Sequence, residues 1–189
     1  SLKIMTSCKL AFILCAVILL AFPLPARAQT APFQKGETIR FSVKQSVMKM
    51  REATLEFKGD VERGGKKCVL IVFTAKGFNF YDEESIFVDP VTFLPLAVVR
   101  DLNIFGNKEK ITEEYEQALG RIKVTKKVEG REPVITMIEK KGAVDNIYGF
   151  IYRYRMQKSP VKGETFDVRL PTLDLKISGV KDVEFKAAG

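Results

Sequence analysis

The chain is written in a two-residue rhythm. In "ETIRFSVKQ", residues 37–45, Ile39, Phe41 and Val43 fall on one face of an extended chain while Arg40, Ser42 and Lys44 fall on the other. That is the alternation of a strand with one side in a core and the other in water. "REATLEFKG" repeats it with Ala53, Leu55 and Phe57 directed inward, and "CVLIVFTA", from Cys68, is apolar on both faces, which predicts a central strand. Further strands are predicted near 84–88, 95–104, 109–117, 121–129, 134–140, 164–170 and 174–185. The intervals carry turn signals. In "ERGGKK" at 62–67, Gly64 and Gly65 supply the positive φ that a tight hairpin needs, and Asp89-Pro90, Gly106-Asn107, Leu119-Gly120, Gly130 and Gly142 follow. Short strands so spaced predict an all-β, mainly antiparallel fold, a meander curled into a partly open β-barrel or half-barrel.

One segment breaks the rhythm. "DNIYGFIYRYRM", residues 145–156, sets Tyr148, Phe150, Tyr152 and Tyr154 among Arg153 and Arg155. As a strand it would show four rings on one face. As a helix, Asp145 caps the start and Ile147, Phe150, Ile151 and Tyr154 form one apolar stripe. We read a short helix near 145–156 whose rings plug the mouth of the sheet, with the two arginines reaching outward or pairing with acids. Tyr148, Phe150, Tyr152 and Arg153 are therefore the candidate ligand-binding residues. Aromatic and basic residues in alternation would also suit a single nucleic acid strand, but the compartment implied by the N-terminus argues against that partner.

Residues 1–28 read as a secretory signal: Lys3 and Lys9 without an acid, the apolar run Leu10–Phe22, then Ala26-Arg27-Ala28, with cleavage expected after Ala28. The run is 13 residues, short of the roughly 20 that cross a bilayer core, so no transmembrane anchor is expected after cleavage. Cleavage removes three basic residues and no acid, which lowers the net charge from +8 to +5. So modest an excess fits weak affinity for anionic surfaces and no specific ligand. The remaining residues, 29–189, contain no linker and read as one β-rich domain in the periplasm.

Cysteine and histidine usage narrows the chemistry. Cys8 and Cys15 leave with the signal, so Cys68 alone remains and no internal disulfide is expected; in an apolar run it reads as a buried thiol. The sequence has no His, which excludes Ser-His and Cys-His nucleophiles and His-ligated zinc. No phosphate-binding glycine motif or nucleophile elbow occurs. No metal and no cofactor is expected. Carboxylates remain, and Asp82-Glu83-Glu84 is the densest acidic cluster. Neighbours on a strand point to opposite faces, so the triplet alone does not converge on one bond or ion. Acidic "ITEEYEQ" and basic "RIKVTKKVEGR" can face each other across a hairpin. "KGETIRFSV" and "KGETFDVRL" echo one another, which a glycine turn feeding a strand explains without a duplication.

"PFQKGETIRFSV", "FVDPVTFLPL" at 87–96, "VDNIYGFIYRYRM" at 144–156, "VKGETFDVRL" and "ISGVKDVEFKAAG" at 177–189 resemble, in that order, the landmarks of an exported bacterial family called domain of unknown function 3108. The resemblance covers nearly all of 32–189, and Asp145, Tyr152 and Arg153 fill the places of its third landmark. It implies a mainly β, partly open barrel from the Gram-negative envelope, with no established activity and no functional residues to carry over. Where chains of that kind continue into a return strand this one stops at Gly189, so a truncated C-terminus is expected. The functional expectation is a non-enzymatic binding or accessory protein of the envelope, holding an apolar or lipid ligand. The alternatives are an enzyme acting on envelope polysaccharide through carboxylates such as Asp82, Glu84 or Asp145, and a structural module that docks to an envelope partner through a strand edge.

Overall fold

The computed structural model describes residues 33–41, 50–157 and 163–178, all within the compact unit Pro32–Gly189. The signal segment, Val43 and the part of the last predicted strand beyond Ser178 lie outside the described residues. The strands are β1 (Thr38–Phe41), β2 (Met50–Arg63), β3 (Lys66–Gly77), β4 (Phe80–Val88), β5 (Pro95–Ile104), β6 (Asn107–Glu116), β7 (Arg121–Val128) and β8 (Val134–Glu139), then helix α1 (Ile147–Gln157) and the hairpin β9 (Thr165–Arg169) and β10 (Asp174–Ser178). Among the described residues β1 to β8 form one sheet in chain order, every neighbour antiparallel, and β9 pairs with β10. The sheet is not closed on itself, so the architecture is all-β in a partly open half-barrel with one helix.

The alternation fixes which face is inside. Ala53, Leu55 and Phe57 of β2 are buried, as are Val69, Ile71 and Ala75 of β3 and Ile86 and Val88 of β4. The register carries this face across the strands, since Leu55 lies opposite Phe73, Phe73 opposite Glu84 and Glu84 opposite Arg100. β3 lies between β2 and β4, as its two apolar faces require, and Cys68 at its start is buried. On the hairpin of β6 and β7 the opposite charges do meet, with Lys123–Glu114 at 3.2 Å and Lys126–Glu109 at 2.8 Å. Such exposed pairs contribute a few tenths to about 1 kcal/mol each and serve register more than stability. The two echoing segments share their turn: Gly36 has φ 89° and Gly163 has φ 85°, each just before a strand.

Helix α1 lies across the inner face. Its first turn is capped by Asn146, whose Oδ1 accepts from the Tyr148 N–H at 2.9 Å and the Gly149 N–H at 3.3 Å. Asp145, expected as the cap, instead binds Arg153 through both carboxylate oxygens at 2.7 and 2.8 Å. The single apolar stripe is also corrected. Tyr148 and Tyr152 face the sheet, the first stacked on Phe73 at 4.2 Å and the second fully buried 5.4 Å from Phe57. Phe150 and Tyr154 turn to the hairpin, where Tyr154 meets Phe166 edge-on at 4.3 Å. A helix held between a sheet and a hairpin needs apolar residues on two sides, and spacings of four residues supply each side.

Candidate functional site

The interior against α1 is filled by the protein's own rings. Phe33 packs on Phe57 at 4.7 Å, on Tyr152 at 5.0 Å and on Phe93 at 5.6 Å, all edge-on. Arg155 lies over Phe33 and Tyr152 and binds Glu37. Of the four sequence candidates, Tyr152 is buried in this packing, Phe150 is buried on the hairpin side against Tyr154 and Phe166, Tyr148 is stacked on Phe73, and Arg153 is tied to Asp145. The structure places all four on one short helix.

Charge gathers elsewhere on the same inner face. Strands β4 to β6 direct Asp82, Glu84, Arg100 and Glu113 inward, at positions where the alternation alone calls for apolar residues. Asp82 is 5 % exposed. It accepts from Arg100 Nε at 2.8 Å and Nη2 at 2.6 Å, a two-point pair that raises the Arg100 guanidinium well above its ordinary range. Glu84 accepts from Asn146 Nδ2 at 2.6 Å. Burial pushes its carboxyl up to about 6, a rise that the Asn146 bond and Arg100 only partly offset and that Glu113 and Asp82 add to. Glu113 takes a short hydrogen bond from the Tyr115 hydroxyl, and burial and that carboxylate drive the phenol pKa up.

Glu84, Arg100, Glu113, Tyr115 and Asn146 line one cleft of about 250 Å³, walled by Val98, Ile111 and Ile147 and roofed by the turn Leu170-Pro171-Thr172 between β9 and β10. Gln117 keeps the strand-to-helix connection over the sheet. Its Nε2 donates to the Pro95 and Val144 carbonyls at 2.8 and 2.9 Å, and its Oε1 accepts from the Val144 N–H at 2.9 Å. The hairpin is attached by the Asp145 N–H donating to the Arg169 carbonyl at 2.6 Å. Two other clefts occur among the described residues. One of about 390 Å³ runs along β9 and β10 past Asp145, and one of about 500 Å³ lies among Lys108, Lys110 and Lys127 near the ends of the strands.

Of the acidic triplet, Asp82 and Glu84 share the inner face, and Glu83 turns outward to accept from the Tyr81 hydroxyl at 2.6 Å. The triplet by itself does not converge; Glu84 converges with Glu113 of β6, two strands away. Arg100, Glu113, Tyr115 and Asn146 were not singled out from the sequence. The available signal was a charge at an inward position of a strand, visible in "VVRDL" and "ITEEYEQ" once the register is known. Among the described residues no group of three His, Cys, Asp or Glu is placed to hold a metal ion. No helix among them is long and apolar enough to cross a membrane. Comparisons with protein-family models, with curated proteins and with solved structures found no match.

Proposed function

We propose that this chain is an exported, non-enzymatic binding or accessory protein of the Gram-negative cell envelope, of the kind its landmarks resemble, and that it takes a polar group of its ligand into the Glu84–Arg100–Glu113 cleft. The observation that carries the reading is the placement of Arg100, Glu84 and Glu113 around one opening of the inner face. Drawing such groups half out of water costs free energy that apolar residues at the same positions would not, which supports a role for them beyond folding. The aromatic packing of Phe33, Phe57, Phe93 and Tyr152 occupies the room an acyl chain would need beneath α1, which moves the ligand from a lipid tail to a polar group. The signal segment 1–28 supports the periplasm. The test is mass spectrometry of the protein purified from the periplasm without denaturation. A polar molecule bound in stoichiometric amount, and lost in Glu113→Gln, is expected; an acyl lipid retained by that variant would contradict the reading.

A second reading has its own support. Glu84, pushed up to about 6 by burial, and Glu113, held by Tyr115, share the cleft. Two carboxyl groups with unequal environments are what glycosidic bond hydrolysis requires, one as the acid and one as the base or nucleophile. Release of new reducing ends from envelope polysaccharide by the protein, abolished in Glu84→Gln, would establish it; no release above a protein-free control would dismiss it.

A further inference from the structure

Among the described residues, strand β8 ends the sheet and is hydrogen-bonded to β7 on one side only. Its middle, Val134-Ile135-Thr136-Met137-Ile138, has no charge, and Val134, Ile135 and Met137 are 62, 61 and 50 % exposed. These residues alternate between the strand's two faces, so both faces present apolar side chains. Edge strands are usually guarded by charge, proline, a bulge or a cover, because their free N–H and C=O groups template another strand. The opposite edge, β1, carries Arg40, and Glu37 beside it is held by Arg155. On β8 the guards stand only at the ends, Pro133 before it, Glu139 as its last residue and Lys140 after it.

The sequence of β8 matches itself. Laid antiparallel on a second copy about a two-fold axis at Thr136, it sets Val134 against the partner's Ile138, Ile135 against the partner's Met137 and Thr136 against the partner's Thr136. One turn of the pleat beyond, Glu132 faces the partner's Lys140. Outside the uncharged run 134–138, Pro133 falls opposite the partner's Glu139 and Arg131 opposite the partner's Lys141, but each residue of that run meets another residue of the run and Glu132 meets an opposite charge. Neighbouring registers lose this. Opposite residues must share the same hydrogen-bonding state, so the axis passes through a residue and the symmetric register shifts by moving it one residue at a time. An axis at Met137 puts Ile135 against the partner's Glu139 and Val134 against the partner's Lys140, and an axis at Ile135 puts Ile138 against the partner's Glu132.

We propose that β8 is a homodimer interface, in which two copies join edge to edge by antiparallel β8 pairing centred on Thr136 and so merge their sheets. This inference is independent of the cleft and of what binds there. A contact made by one short strand is small, and an affinity on the order of micromolar is expected. Sedimentation equilibrium across a concentration series spanning that range tests it. The wild-type chain should move from monomer to dimer, and Thr136→Lys, which sets two ammonium groups face to face at the axis, should weaken association about tenfold or more while leaving the circular dichroism spectrum unchanged. Residues directly opposite in antiparallel strands have Cα atoms about 4.5 to 5.5 Å apart, within reach of a disulfide. In a Cys8→Ser, Cys15→Ser background, Thr136→Cys should therefore link two chains on oxidation, and Met137→Cys, displaced from the axis, should not. A monomer at every concentration overturns the proposal. So does a dimer that Thr136→Lys does not weaken and that oxidation links no faster at 136 than at 137.

Discussion

Tyr152 is fully buried, and its hydroxyl finds no partner among the described residues. Burial first, and then the nearby Glu37 carboxylate, push the phenol up to about 12, so it stays neutral in ordinary buffers and gains nothing from ionisation. A buried, unpaired hydroxyl costs on the order of 1 kcal/mol or more, and the ring contacts with Phe33 and Phe57 do not need it. Tyr152→Phe should raise stability by about 1 kcal/mol in urea unfolding; a loss of that size would mean that the hydroxyl is bonded. Glu84 makes the second prediction at this scale. Its carboxyl sits at about 6 in the fold against 4.5 when exposed, so the native state holds the proton more tightly than the unfolded chain does. Its contribution to stability is full below pH 4.5 and is lost as pH rises through about 6, a loss of about 2 kcal/mol. Glu84→Gln keeps an acceptor for Asn146 and removes the titration. The variant should therefore gain on the wild type between pH 4.5 and pH 7 by up to about 2 kcal/mol in urea unfolding. Equal differences at both pH values would refute the burial argument.

At the scale of elements, the turn between β4 and β5 is braced by one side chain beside its backbone hydrogen bonds. Asp89 Oδ1 accepts from the Val91 N–H at 3.0 Å, the Thr92 N–H at 2.8 Å and the Thr92 hydroxyl at 3.0 Å. Burial works to raise the Asp89 pKa, but these three bonds outweigh it and hold the carboxyl below its ordinary range. The turn also carries Phe93 at φ 57° with its ring in the core, a conformation that costs energy in a residue with a side chain. Asp89→Ala should destabilise the protein by about 1 to 2 kcal/mol in urea unfolding, since it removes three hydrogen bonds and leaves the strained turn to the backbone bonds between Asp89 and Phe93 and between Asp89 and Leu94. A change below a few tenths would show that the core grips Phe93 unaided. The strands were legible because alternation, glycine turns and the doubly apolar β3 are local patterns that directly determine burial. The helix was legible in place but not in its facing. Asn146 outcompetes Asp145 for the cap because Arg153, eight residues on, claims the Asp145 carboxylate. The cleft was hidden for another reason. Glu84 and Glu113 belong to strands separated by β5, and their meeting depends on a register that no single stretch of sequence contains. Gly120 is a smaller instance: its φ of 61° and the approach of the Lys140 carbonyl leave no room for a side chain, a contact between segments far apart in the chain.

For the whole molecule, two surfaces carry the account: the uncharged edge at β8, and the cleft where β4 to β6, the start of α1 and the β9–β10 turn meet. The edge bears on how copies associate, and the cleft on what they hold. The most direct test of the cleft is amide chemical-shift mapping by nuclear magnetic resonance, with the labelled protein titrated with soluble fragments released from digested peptidoglycan and with short-chain phospholipid. The account predicts that one of the polar probes moves the signals of Arg100, Glu113, Asn146 and Thr172 together and leaves those of Phe57 and Phe93 in place. Shifts confined to the phospholipid titration and centred on Phe57, Phe93 and Tyr152 would contradict it.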